Sequence, residues 1–186
     1  MKDIDIIKLY FERSEKAISE TDSKYGAYCS CIAENILNNR QDSEECVSDT
    51  YLKTWNSIPP NKPENLRTYL GKITRNLAIN RYKMYSAEKR GGTAMAVVLS
   101  ELEGCIPSAL TVEDALDEKL LIRALEDFLK HQSDMKRNIF LRRYWYCQSI
   151  ADIANDFYMS QSKVTSILYR QRHKLKEHLE KEGIFI

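Results

Sequence analysis

Apolar residues recur at intervals of three and four positions through both halves of this chain, and few glycines or prolines interrupt them. Side chains three and four residues apart share one face of a helix, so this spacing predicts helices that each bury one face. The chain has 6 glycines and 4 prolines among 186 residues, too few for the many tight turns of a β-sandwich or barrel. We therefore expect an all-α protein.

The first half predicts four helices, each with an apolar stripe. The stripes are, in order, Ile4, Ile7, Tyr10 and Phe11; Tyr25, Tyr28, Cys29, Ile32, Ile36 and Leu37; Val47, Tyr51, Trp55 and Ile58; and Leu66, Leu70, Ile73 and Leu77. Asp42 or Ser43 is expected to cap the third helix, which Pro59 ends. Pro63 suits the first turn of the fourth helix.

Glycine, serine and proline interrupt the pattern over residues 91–112, which predicts a flexible linker of 22 residues. The predicted organisation is therefore two helical domains, at 1–90 and 113–186, on either side of this linker. The net charge is +1, but it is +6 over 62–90, −6 over 101–127 and +4 over 160–181. The acidic segment, which includes Glu101 and Glu103, either folds back over the basic surfaces or remains a solvated tether.

Residues 148–179 predict a helix-turn-helix. Ile150, Ile153, Ala154 and Phe157 form one apolar face, residues 158–160 form the turn, and Val164, Leu168, Leu175 and Leu179 bury the second helix. The other side of the second helix is polar and basic and suits a DNA major groove. The alternative is a helical hairpin with a solvated basic face. In the predicted fourth helix, Tyr69, Tyr82 and Tyr85 lie among basic residues, which indicates either base stacking on opened DNA or tyrosines in the core.

These segments together resemble a known family. DSEECVSDTYLKTWNSIP (42–59) and PENLRTYLGKITRNLAINRYK (63–83) resemble the second conserved domain of bacterial RNA polymerase sigma factors of the extracytoplasmic-function group. SIADIANDFYMSQSKVTSILYRQRHKLKEHL (149–179) is similar to their fourth domain, a helix-turn-helix. The chain departs from the family at Asn80, where aspartate is usual, and at Thr165 and Ile167, where basic residues are usual.

The resemblance implies that the chain binds core RNA polymerase and directs promoter-specific initiation. Contacts with the clamp helices of the largest subunit fall on Asp49, Leu52, Lys53 and Asn56. The polymerase flap, promoter DNA and an anti-sigma factor are the other expected partners. The minus-ten strand is expected to contact Asn61, Lys62, Arg67, Lys72, Arg75, Asn76, Asn80 and Lys83. The minus-thirty-five duplex is expected to contact Gln161, Ser162, Lys163, Thr165, Ser166, Tyr169, Arg170 and Arg172.

An enzyme and a stand-alone helix-turn-helix regulator are the rival functions. The three histidines, His131, His173 and His178, have no nucleophile or metal-ligand pattern beside them, so we expect neither catalysis nor a metal or other cofactor. A regulator would use its N-terminal helices as a sensor or dimer interface. Five scattered cysteines show no disulfide framework, and no signal peptide or membrane-spanning run is readable. These features indicate a cytoplasmic protein.

Overall fold

The structure, a computed structural model, describes residues 1–88, 94–102, 105 and 115–184. These residues form α-helices joined by turns and contain no β-strand, which confirms the all-α prediction. The chain divides into two compact units, Met1–Met95 and Ala96–Ile186, here called the N-terminal and C-terminal units. Among the described residues, every helix is too short or too polar to traverse a lipid bilayer.

The N-terminal unit packs four helices around one core. They are α1 (Asp3–Phe11), α2 (Lys16–Leu37), α3 (Arg40–Ser57) and α4 (Leu66–Glu88). In α1 the buried residues are Ile6, Ile7 and Tyr10, whereas Ile4 is 78% exposed and Phe11 is 42% exposed. The predicted stripe of α1 was therefore wrong at Ile4 and Phe11, because the core covers the adjacent side of the helix.

The starts of α3 and α4 differ from the prediction. Asn39, and not Asp42 or Ser43, caps α3: its side-chain oxygen accepts from the backbone N–H of Asp42 at 3.1 Å. Helix α4 begins at Leu66 rather than in the turn containing Pro63, and the Asn65 side chain accepts from the backbone N–H of Thr68 at 2.9 Å. In both cases an asparagine carbonyl satisfies an N–H that has no partner within the helix.

Small and hydroxyl side chains line the contact between α3 and α4. On α4, Thr74 and Ala78 are fully buried, whereas the predicted Ile73 and Leu77 are half-buried. Thr50 Oγ1 on α3 lies 3.2 Å from Thr74 Oγ1, and Thr74 donates to the Leu70 carbonyl of its own helix at 2.9 Å. Hydroxyls paired in this way lose no hydrogen bond on burial and let the helix axes approach closely.

Gly71 allows α2 and α4 to approach at one point. A Cβ atom at position 71 would lie 2.3 Å from the Tyr28 hydroxyl oxygen and 3.1 Å from its Cζ. Tyr28 is half-buried on α2, and the Arg67 guanidinium lies 4.7 Å from the centre of its ring. Any larger residue at 71 must therefore displace the tyrosine or separate the two helices.

The C-terminal unit contains the helix-turn-helix. Its helices are α5 (Ala94–Leu102), which begins just before the unit boundary, α6 (Ala115–Lys130), α7 (Asp134–Tyr144), α8 (Ile150–Asp156) and α9 (Gln161–Lys181). Ser149 and Ser160 cap α8 and α9, each accepting from the backbone N–H three residues ahead. All four residues predicted to bury α9 are buried, namely Val164, Leu168, Leu175 and Leu179.

Helix α5 lies inside the segment that was predicted to be irregular. Its sequence, AMAVVLSEL, holds neither glycine nor proline and is rich in alanine and leucine, which favour helix over the whole of its length. Val98 is 1% exposed, so this helix is packed rather than solvated. The flanking residues 89–93, 103–104 and 106–114, including Glu103, lie outside the described residues.

The substitution Gly71→Ala tests the approach of α2 and α4. We expect a loss of about 1 to 3 kcal/mol in the free energy of unfolding, because overpacking outweighs the roughly 1 kcal/mol by which alanine favours helix. Asn76→Ala, at an exposed site on the same helix, is the control and should be neutral or slightly stabilising. The measurement is urea unfolding, and equal stability of the two variants would contradict the packing.

Candidate protein and nucleic-acid interfaces

Three of the four residues predicted to contact polymerase are exposed on α3. Leu52, Lys53 and Asn56 face solvent, and Leu52 is 59% exposed although it is apolar. The fourth, Asp49, pairs with Arg81 of α4 at 3.0 Å. The exposed leucine is therefore the clearest candidate for a protein contact on this helix.

A groove runs between α2 and α3 beside Leu52. Its apolar lining consists of Ile18, Val47, Leu52 and Trp55, and acidic residues Glu15, Asp22 and Glu44 stand around it. Tyr51 also lines it and donates to Asp22 Oδ1 at 2.8 Å. Burial and this carboxylate both raise the pKa of Tyr51 above that of a free tyrosine, so the hydroxyl stays protonated and keeps donating at neutral pH.

Arg81 links α4 to α3 and was absent from the predicted site. Its guanidinium contacts Glu45 Oε2 at 2.9 Å and Asp49 Oδ2 at 3.0 Å, and it donates to the Asp42 carbonyl at 3.2 Å. Its side chain is only 18% exposed. The acids at 45 and 49 are four residues apart and share a helix face, which is the one sequence signal for a bridging cation.

The predicted contacts of α4 divide into a common face and residues away from it. Lys72, Asn76, Asn80 and Lys83 are exposed, and their spacings of four, four and three place them on one face of the helix. Arg75 is half-buried beside this face. Asn61 and Lys62 are exposed in the loop before α4, with Asn61 donating to the Ser57 carbonyl at 3.0 Å.

Arg67 and the tyrosines of α4 lie apart from that polar face. The Arg67 guanidinium lies over the Tyr28 ring in the first turn of α4, on another side of the helix. Tyr69 is half-buried and donates to Ser57 Oγ at 2.7 Å, and Tyr82 is also half-buried. The side chain of Tyr85 lies outside the described part of the chain. Tyr69 is thus tied to the fold through its hydroxyl.

Helix α9 presents seven of the eight residues predicted to contact duplex DNA. The exposed residues are Gln161, Ser162, Lys163, Thr165, Ser166, Tyr169 and Arg170. Thr165 donates to the Gln161 carbonyl of its own helix at 2.9 Å, which leaves the oxygen lone pairs available. Arg172 is the exception, since its side chain is 17% exposed.

Arg172 belongs to a cluster around Glu101 of α5. Arg172 Nη1 lies 3.4 Å from Glu101 Oε2 and donates to the Tyr144 hydroxyl at 2.7 Å. Arg143 donates to both Glu101 oxygens, at 2.5 and 3.3 Å, and its side chain is 5% exposed. Burial raises the pKa of Tyr144, so its hydroxyl remains a proton donor to the carboxylate at 3.0 Å.

The turn between α8 and α9 holds a strained tyrosine. Tyr158 has a φ of 52°, in the left-handed region that favours glycine, and its side chain is 98% exposed. The backbone N–H of Met159 donates to the Ala154 carbonyl at 2.8 Å, which closes the turn. The geometry of the turn therefore comes from backbone hydrogen bonds and the Ser160 cap, while the tyrosine ring projects into solvent.

Comparison with known proteins supports the resemblance that the sequence predicts for the N-terminal unit. Residues 27–87 match the family model described as Sigma-70 region 2. A search of curated proteins finds no match to the chain. Among solved structures, the chain is similar to CnrH in a complex described as CnrH with the cytosolic domain of CnrY, at 16% identity and a TM-score of 0.43. That alignment covers 95% of this chain and 96% of the other.

Replacing Arg81 by glutamine tests its link between α3 and α4. We expect a loss of about 1 to 2 kcal/mol in unfolding free energy, because Glu45 and Asp49 lose their common cation. Arg40→Gln, which breaks the exposed pair of Arg40 with Glu44 on α3, is the control and should cost at most about 0.5 kcal/mol. Urea unfolding measures both, and a cost at Arg81 no larger than at Arg40 would remove its proposed role.

Proposed function

Since residues 27–87 match the family model described as Sigma-70 region 2, we propose that this chain is an RNA polymerase sigma factor of the extracytoplasmic-function group. The proposal is that it binds core polymerase and directs initiation at specific promoters. The observation that carries it is the presence of a region 2 domain and a capped helix-turn-helix in one chain of 186 residues. The chemistry of RNA synthesis then belongs to the polymerase.

Contact with the core enzyme is proposed for the exposed side of α3. Leu52 offers an apolar anchor beside the groove of Ile18, Val47 and Trp55, and the acids around the groove favour a partner with basic side chains. The same acids oppose nucleic acid at this site, because they repel phosphate. A protein therefore suits this surface better than DNA does.

Capture of the minus-ten strand is proposed for α4 and the loop before it. The polar face formed by Lys72, Asn76, Asn80 and Lys83 combines two cations with two amides that can both donate and accept hydrogen bonds. Cations follow the phosphate backbone of a single strand, and amides can pair with the edges of unstacked bases. Asn61 and Lys62 extend the exposed polar surface at the start of this segment.

Reading of the minus-thirty-five element is proposed for α9. The N-terminal part of α9 exposes polar side chains that can hydrogen-bond to base edges when this end of the helix enters a major groove. They are Gln161, Ser162, Thr165 and Ser166. Lys163 and Arg170 are positively charged and suit contacts with the backbone phosphates that flank this groove. This division of roles makes separate predictions for specificity and for affinity.

Transcription in vitro tests the proposed function directly. Adding the purified chain to core polymerase and a genomic template library should produce transcripts that start at defined sites sharing two sequence elements. A stand-alone helix-turn-helix regulator would instead bind specific duplex sequences without the core enzyme and produce no new start sites. That second result would replace the sigma-factor proposal with the regulator.

Leu52→Asp is expected to weaken binding to core polymerase by at least about tenfold, because it puts a charge at an apolar contact. Leu52 is a better probe than Asp49, whose substitution would also break the Arg81 pair. The matched control is Ile4→Asp, at an apolar residue that is 78% exposed on α1. Titration of core polymerase measures both, and equal affinities would exclude α3 as the contact.

Arg170→Ala is expected to weaken binding to every duplex sequence and to reduce the salt dependence by about one unit in the slope of log K against log salt. Ser162→Ala should instead change base preference with little effect on that slope. The measurements are salt titrations and selection from a promoter library with holoenzyme. Wild-type promoter use by both variants would move the recognition surface away from α9.

A further inference from the structure

Arg172 lies on the same side of α9 as three exposed residues of the proposed DNA surface. Gln161, Thr165, Tyr169 and Arg172 follow one another at spacings of four, four and three, which places them along one helix face. The Arg172 guanidinium lies 6.0 Å from the centre of the Tyr169 ring, so the two side chains are neighbours. Arg172 would therefore extend this face by one cation if nothing else held it.

A carboxylate on another helix holds the Arg172 guanidinium. Glu101 of α5 places its carboxylate between Arg143 and Arg172, at 2.5 and 3.4 Å, and the Tyr144 hydroxyl donates to the same carboxylate at 3.0 Å. Guanidinium groups, which bind this carboxylate, also bind phosphate groups. Val98, one turn earlier on the helix that carries this carboxylate, is buried.

The two arginines are not equivalent in this cluster. Arg143 is almost fully buried, donates to both carboxylate oxygens of Glu101 and also donates to the Gln148 carbonyl at 2.9 Å. Arg172 is less buried, and its contact with Glu101 is the longer one. Arg143 therefore anchors Glu101 to the unit, whereas Arg172 is the cation that an outside anion can most easily recruit.

We propose that Arg172 is a binding site for a DNA backbone phosphate and that Glu101, held by the Tyr144 hydroxyl, occupies this site in the unbound chain. Helix α5 thereby acts as an internal competitor of duplex DNA. The inference rests on the proposed function in one respect, that α9 binds duplex DNA. A phosphate that takes Arg172 must displace its contact with Glu101, so part of the affinity for DNA is withheld until that contact opens.

Salt-dependent binding of the full chain to a short duplex of arbitrary sequence tests this proposal, because phosphate contacts are independent of sequence. Glu101→Gln keeps a hydrogen-bond acceptor for Arg143 but removes the charge that holds Arg172. We expect binding about fivefold tighter at low salt and a slope of log K against log salt steeper by about 0.9, the value for one added phosphate contact. Glu126→Gln, at an exposed acid of α6, removes an equal charge and is the control.

The double variant Glu101→Gln, Arg172→Ala separates a specific site from a general loss of negative charge. The gain from Glu101→Gln should disappear when Arg172 is absent. A gain that persists without Arg172, or that Glu126→Gln reproduces, would overturn the proposal. Tyr144→Phe provides a second variant that leaves the Arg143 pair in place, and it should tighten binding in the same direction but only when Arg172 is present.

Two further results distinguish this inference from the proposed function. Circular dichroism on heating shows whether Glu101→Gln remains folded; if it does not, Tyr144→Phe supplies the comparison. If Arg170→Ala weakens binding while Glu101→Gln and Tyr144→Phe match the wild-type chain, the Arg172 site is wrong and the DNA role of α9 stands. If Arg170→Ala also leaves binding unchanged, the DNA role of α9 fails, and the Arg172 site fails with it.

Discussion

Buried hydroxyls that bond within their own helix determine how the N-terminal unit packs. Thr21, Thr50, Thr54 and Thr74 are fully buried, and each donates to the carbonyl four residues earlier, at 2.7 to 2.9 Å. A threonine paired in this way can replace an aliphatic residue in a core without an unsatisfied donor. Because the side chain is short, it fits where two helices meet, as at Thr50 of α3 and Thr74 of α4, whose hydroxyl oxygens lie 3.2 Å apart.

The same hydroxyls help to explain which buried residues could be predicted from the sequence and which could not. In α9, large aliphatic residues form the buried face except at Gln171, so periodicity predicted Val164 and Leu168 correctly and missed the glutamine. In α4 the predicted Leu66 and Leu70 are fully buried. Beyond them the core side continues with Thr74 and Ala78, and hydrophobicity selected the adjacent Ile73 and Leu77 instead. Apolar periodicity identifies a buried face only when that face is aliphatic. Helix α5 was missed for a different reason, because glycines near both of its ends obscured nine residues that favour helix.

Exposure of the candidate surfaces could be predicted from sequence, but their internal partners could not. Most of the polar residues chosen on α4 and α9 are exposed, because polar residues opposite a buried stripe face solvent. Arg172 pairs with Glu101, which is 71 residues away in the chain, and Arg81 pairs with Asp49, which is 32 away. The spacing of Glu45 and Asp49 indicates that a cation bridges them, but nothing local in the sequence marks which cation it is. Each pair depends on the packing of helices that must be known first.

The position of Arg81 has a thermodynamic consequence for the N-terminal unit. This one guanidinium contacts Glu45 and Asp49 on α3, while its own helix carries the polar face of Lys72 and Asn76. A ligand on α3 that attracts Glu45 or Asp49 would weaken the pairing of that acid with Arg81 of α4. A ligand on α4 that attracts Arg81 would weaken the same pairing. Linkage is reciprocal, so a ligand on one surface that changes the Arg81 pairs would alter the affinity of the other surface by the same factor that the second ligand alters the first.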